Sequence, residues 1–355
     1  ISLSMFVWLS IFPLCFFIYS LKQPGDWSYL PLGILVVTLI FAFIGIGQVF
    51  VSGTDPISLF ATRNTYAAML NLIALPATTY FIGSKQSSNR SLILWGMILF
   101  GLFFAVFQAN SKGAVISLLA GFVFIVLLSW KYTEKSSLIK VVIIVITAFL
   151  FAYIETDGNT VNNIYNNAIN RSAPSTYQRI LMWQSAWEII KTAPVIGVGI
   201  GTYYIVEPAV RHMDNTAAGY FVHNDYLQFW LETGIIGLSL MMLIMVAIIM
   251  LFVRVLKYKN ISLHDRLEIT GLMAGLFAVA LHSFVDFNFF IIAILMVMGF
   301  MCARIQEISR YYFSGLMQVV TPAHKLSKKI FILVAGALPL IVLGYSFPVA
   351  VADYY

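Results

Sequence analysis

Runs of about 18–20 apolar residues recur along the whole chain, each long enough to cross a hydrocarbon core of about 30 Å. A bilayer offers no water to backbone amides, so such runs fold as helices whose hydrogen bonds close within the segment. Composition agrees: 60% of residues are hydrophobic and 10% charged, against roughly a quarter charged in soluble proteins. The expected fold class is all-α, a polytopic transmembrane helical bundle. About ten spans are read, near 2–20, 29–51, 64–83, 91–108, 113–130, 138–155, 231–253, 268–285, 288–303 and 330–348. The chain then divides into N-terminal transmembrane helices (1–155), a polar loop with the candidate catalytic segment (156–230), and C-terminal transmembrane helices (231–355). Cys15 and Cys302 stand in separate apolar segments without metal-like spacing, so they read as packing residues. The start "ISLSMF" has no initiator Met and the end "SFPVAVADYY" falls on the outer side, so further residues are expected at both ends.

Cytoplasmic loops collect Lys and Arg. Alternate loops, beginning after the first span, hold Lys22; Lys85 and Arg90; Lys131, Lys135 and Lys140; Arg254, Lys257, Lys259 and Arg266; and Arg304, Arg310, Lys325, Lys328 and Lys329. These are fifteen of the 21 basic residues, so these loops are assigned to the inside. The 156–230 loop then faces outward, toward the periplasm of a bacterium, with the chain in the inner membrane.

Six basic residues break the rule: Arg63, Lys112, Arg171, Arg179, Lys191 and Arg211. Each alone reads as a solvated loop cation. Together, with Arg63 and Lys112 in very short connections, they suggest an outward site for an anion. At a membrane that anion is a lipid-borne phosphate, gripped by guanidinium forks and an ammonium.

The segment "STYQRILMWQSAWEIIKTAP" has Ser175 and Gln178 at capping-box spacing and stops near Pro194. Ile180, Trp183, Trp187 and Ile190 mark the apolar face of an amphipathic helix, lying in the headgroup layer or capping the bundle. "GVGIGTYY" follows a helix rather than a strand, so it reads as a tight turn rather than a phosphate loop.

In "FVHNDYLQFWLETG", Asn224, Gln228 and Glu232 recur at i, i+4 and i+8, one polar stripe running into an apolar helix. His223 stands at that helix's mouth, where a nearby N-terminus disfavours imidazolium and leaves a proton-accepting ring. In "LHSFVDFNFF", His282 and Asp286 are four apart, expected on one helical face. That pair either orients a ring, binds a sugar hydroxyl, or clamps two helices. No zinc signature, P-loop, nucleophile elbow or Asp-rich magnesium motif stands on the outer face, and His212 with Asp214 lacks further ligands. Neither a metal nor a cofactor is expected.

"RILMWQSAWEIIKTAPVIGVGIGTYY" followed by "FVHNDYLQFWLETGIIGL" resembles the O-antigen ligase/polymerase superfamily of bacterial envelope glycosyltransferases. "FATRNTYAAMLNLIALP", "ANSKGAVISLLAG" and "LHSFVDFNFF" resemble three further family segments, with Lys112 where arginine is usual. The resemblance covers about residues 55–300. It implies a GT-C-like membrane enzyme that takes a glycan from undecaprenyl pyrophosphate and gives it to an acceptor hydroxyl. On this reading His223 is the catalytic base; Arg179, Arg211, Lys112 and Arg63 hold the pyrophosphate; Asn224, Gln228, Glu232, His282 and Asp286 support the base or the acceptor. The partners expected are the lipid-linked glycan donor, a glycan or lipid A core acceptor and membrane lipids, with no nucleic acid. An O-antigen ligase is the first reading, a polymerase the second and a protein O-oligosaccharyltransferase the third. A transporter of lipid-linked glycans is an alternative of another class, disfavoured because polar residues gather on the outer half instead of along a path across the bilayer. A structural scaffold is a further one.

Overall fold

The computed structural model describes residues 2–21, 29–83, 89–155, 174–215 and 219–313. Within them the chain is all-helical: α1 (Ser2–Ser20), α2 (Leu30–Ser52), α3 (Arg63–Gly83), α4 (Asn89–Gln108), α5 (Lys112–Ser129), α6 (Lys135–Glu155), α7 (Pro174–Thr192), the short α8 (Tyr203–Val206), α9 (Asp225–Leu256), α10 (Leu263–His282) and α11 (Ile292–Phe313). Seven of these are long and apolar enough to cross a membrane: α2, α3, α4, α5, α6, α9 and α11. The last expected span, 330–348, lies outside the described residues, as does Arg171.

α3 is the inner helix, with nearly every residue from Thr65 to Ile82 buried. Its closest neighbour is α10, which brings Gly271 and Gly275 against it. A methyl on Gly275 would stand 2.6 Å from the Leu72 carbonyl, and one on Gly271 would stand 2.8 Å from Pro76 Cα. Small residues four apart thus let two backbones approach closely, a device suited to lipid, where burial of apolar surface drives little. α4 and α5 cover α3 from other sides.

Several ends differ from expectation, and three near the polar segments do so for a local reason. α9 begins at Asp225 rather than 231, because Asn224 caps it, accepting from the Tyr226 and Leu227 amides at 3.1 Å. Residues 225–230 are therefore its first turns. α10 ends at His282, so Asp286 lies beyond it in a connection that includes a 3-10 turn at Asn288–Phe290. That turn displaces the following helix to Ile292–Phe313.

α9 is broken at Gly234, whose φ of 68° and ψ of −176° lie outside the helical region. The glycine turn seen in sequence docks into this break: the Val198 amide donates to the Leu231 carbonyl and the Gly199 amide to the Glu232 carbonyl, both at 3.0 Å. The Ile235 amide donates to Pro194 at 2.9 Å. Beyond the break about 22 residues remain, roughly 33 Å of helix, enough for one bilayer crossing.

α7 packs on α9 through Ala186, Ile189 and Ile190. Ile180 and Trp187 are exposed, so the apolar face inferred from sequence is rotated from the one that packs. Trp187 instead meets Trp230 edge to face at 5.6 Å. Described residues of the later connections assigned to the inside meet at the end of α10 away from His282. There Arg266 stacks on Tyr132 at 4.2 Å, Arg254 on Phe313 at 4.3 Å, and Arg304 bridges Glu268 and Glu307.

Candidate functional site: a cationic cavity joined to a histidine

The starts of α3 and α5, the end of α10 and Arg179 of α7 meet around one cavity of about 130 Å³. A single water needs only about 10–15 Å³ by that kind of measure, so a small anionic group fits. Arg63, Lys112 and Arg179 line it together with Asn64, Asn110 and His282. Three outward cations selected from sequence thus share one wall-to-wall space, and the Lys112 ammonium feels the charge of both arginines. Like charges held together without a carboxylate among the lining residues are unfavourable until an anion arrives.

The loop before α5 explains how Lys112 is delivered. Asn110 adopts a left-handed φ of 50° and Ser111 caps the helix, accepting from Ala114. Gly113 then leaves space for the His282 ring: a Cβ there would stand 2.5 Å from Cδ2 and 2.7 Å from Nε2. Arg63 also reaches the exposed Asp55 at 3.3 Å. An exposed pair of that kind is worth about 0–1 kcal/mol and exchanges readily for a better anion.

His223 is held from four directions. Its left-handed φ of 54° turns the chain into the Asn224 cap. The Val222 amide donates to Gln228 Oε1 at 3.0 Å, and Trp183 Nε1 donates to the His223 carbonyl at 3.3 Å. Gln228 in turn donates to Glu232 at 3.1 Å, and Glu232 accepts from the Gly201 amide at 2.9 Å. The Asn224–Gln228–Glu232 stripe is spent on backbone: it fixes the histidine loop and the glycine turn to α9.

The imidazole faces Asp286, with Nδ1 at 3.3 Å from Oδ1 and off the best hydrogen-bond direction. The same carboxylate turns Oδ2 toward His282 Nε2 at 3.8 Å. Burial alone would raise Asp286; the His223 contact and the electrostatic influence of nearby His282, His223 and Arg179 outweigh it and hold the carboxyl below its ordinary value. Asp286 is therefore an anion at neutral pH. Phe287 stacks on Phe221 at 4.3 Å and meets the His223 ring edge-on at 4.9 Å.

Arg211 is a correction. Its guanidinium is committed to the buried Glu207 at 2.6 Å, with Asn215 adding a bond to the same carboxylate at 3.2 Å. It does not line the cavity. Three residues escaped the sequence reading. Asn64 and Asn110 line the cavity, and their only signal was adjacency to the stray cations. Asp225 is fully buried, its amide bonded to the Ser283 carbonyl at 2.9 Å and its Oδ2 to the Phe289 amide at 3.0 Å. It ties the connection carrying Asp286 to the helix carrying His223. Among the described residues the group of potential metal ligands, His264, Asp265 and Glu268, lies at the other end of α10, where Glu268 is already bound to Arg304.

Residues 95–242, from α4 through the break in α9, match the family model described as O-antigen ligase. Over these residues the chain is similar to the O-antigen ligase family, a likeness that supports the O-antigen ligase/polymerase superfamily. An uncharacterized protein of Haemophilus influenzae is 25% identical over 240 residues, covering 63% of this chain and 59% of that protein. The exopolysaccharide production protein ExoQ of Rhizobium meliloti is 32% identical over 74 residues, 19% of this chain and 17% of ExoQ. The matches thus span less than two thirds of either relative. The seven long apolar helices mark an integral membrane protein.

Proposed function

We propose that this protein transfers a glycan from undecaprenyl pyrophosphate to an acceptor hydroxyl at the periplasmic face of the bacterial inner membrane. Arg179, Lys112 and Arg63 hold the diphosphate, and His223 takes the acceptor's proton. As the acceptor oxygen bonds to the anomeric carbon, the carbon–oxygen bond to the diphosphate breaks and undecaprenyl diphosphate leaves with the electron pair. One displacement inverts the anomeric centre. Cations fixed before the reaction stabilise the leaving diphosphate, so the step needs no metal. General-base assistance by a positioned histidine contributes about 10²–10⁴-fold. Asp286 orients the ring and stabilises the imidazolium that forms; Asn224, Gln228 and Glu232 fix the loop.

The observation that carries this reading is the cavity wall itself: Arg63, Lys112 and Arg179 around one space, linked by His282 and Asp286 to His223. The match to the O-antigen ligase family favours a ligase, with a lipid A core sugar as acceptor. A polymerase, with another carrier-linked glycan as acceptor, is the second reading, favoured by the likeness to ExoQ. Reconstitution with a defined undecaprenyl-pyrophosphate glycan and both acceptors separates them. Inverted product on either acceptor supports the mechanism; a retained anomeric configuration contradicts it.

A further inference from the structure

His282 is buried at the end of α10, yet it forms part of the cavity wall. Its Nε2 stands 3.8 Å from Asp286 Oδ2, too far for a hydrogen bond, and its Nδ1 has no partner among the described residues. Asp286 Oδ2 is left open in the same way. Buried polar atoms left open are costly, and they mark a place that something else completes. The charges facing His282 come from every element around it. Arg179 acts from α7 and Asp286 from its own connection. Lys112 and Arg63 share its cavity from the starts of α5 and α3. His223 lies behind Asp286.

We propose that His282 is a fourth ligand of the donor diphosphate, neutral while the cavity is empty and protonated when the diphosphate fills it. The inference rests on the cavity being the diphosphate site. With the cavity empty, Lys112, Arg179 and the partly offset Arg63, which also reaches Asp55, outweigh Asp286 and oppose a further positive charge. A bound diphosphate reverses that field, so the ring takes a proton from solvent and donates an N–H to a phosphate oxygen. Only that N–H bond forms; nothing is oxidised or reduced. Asp286 then stands between two imidazoles with different tasks, one on the donor and one on the acceptor. Donor binding is thereby linked to proton uptake, and weakens as the pH rises past the point at which His282 discharges.

The test is a magnetic-resonance titration of the full chain in nanodiscs, with isotope-labelled histidine and inorganic pyrophosphate as the probe. The His282 signal is assigned by its loss in His282→Asn. Saturating pyrophosphate is expected to move the His282 midpoint upward by about 1–3 pH units. Between the free and the pyrophosphate-bound midpoints the affinity for pyrophosphate falls by up to about tenfold per pH unit beyond whatever fall His282→Asn shows, which removes pyrophosphate's own titration; above the bound midpoint this extra fall levels off. Pyrophosphate that binds, and is weakened by Arg179→Ala, while the His282 midpoint stays still overturns this proposal and leaves the diphosphate site standing. Pyrophosphate that fails to bind the wild-type protein overturns both.

Discussion

Asp286→Asn keeps the size of the side chain and removes its charge. Its Oδ1 lies 3.3 Å from His223 Nδ1 in a setting where the carboxylate is fully buried and the histidine side chain is 25% exposed. A unit pair at 4 Å interacts with about 4 kcal/mol at an effective dielectric near 20. Water reaching the exposed part of His223 screens some of this, leaving about 2–4 kcal/mol acting on the imidazolium formed in the transition state. At about 1.4 kcal/mol per tenfold, turnover falls roughly 30–1000-fold. The asparagine amide also offers Nδ1 a donor, which favours the wrong tautomer and adds to the loss. Initial rates with a defined undecaprenyl-pyrophosphate glycan measure the effect. The main loss falls on kcat, because the carboxylate acts chiefly on the base; any rise in donor KM comes only through the neighbouring His282. A folded Asp286→Asn enzyme with turnover within about twofold of wild type, or one whose only change is a raised donor KM, refutes the assignment.

Asp286 is held below the ordinary carboxylate value, so its ionisation favours the folded state. That contribution is complete above its unfolded pKa of about 3.9 and is lost as the pH falls through the lower folded value. The part of the stability difference between wild type and Asp286→Asn that comes from the carboxylate's own ionisation, followed by thermal unfolding, is constant above about pH 5 and shrinks only in stronger acid, while the neighbouring histidines add any change seen between about pH 5 and 8. Arg179→Ala and Lys112→Ala each lower kcat/KM for the lipid-linked donor by about 10–100-fold, the size expected for one charge-assisted contact. Arg211→Ala leaves donor KM unchanged per folded molecule and costs about 1–3 kcal/mol of stability, because Glu207 loses its partner while buried. A melting shift without a kinetic change distinguishes that outcome.

Most of the bundle was legible because each apolar run carries its own length, and lipid forces it into a helix. The ends were less legible where side chains override hydropathy. Asn224 starts α9 before the apolar stretch begins, and Asn288–Phe290 makes a turn although it reads as the start of a span. The break at Gly234 depends on the docking of Gly197 and Gly199, contacts between segments that no local pattern announces. α7 carries apolar residues on more than one face, so the sequence left its packed side ambiguous. In the site, Arg63, Lys112 and Arg179 stood out because they oppose the inside preference for positive charge. Arg211 stood out for the same reason, but Glu207 at i−4 satisfies it locally, and that spacing was readable. His282 and Asp286 were paired correctly in spacing but not in setting: the helix ends at His282, and the carboxylate reaches His223 from the connection beyond.

The most direct test of the account is single-turnover glycan transfer by His223→Ala beside wild type, with pyrophosphate binding measured on the same nanodisc samples. The account predicts binding near the wild-type level and transfer reduced by about 10²–10⁴-fold. Wild-type transfer rates from a folded His223→Ala protein would contradict it.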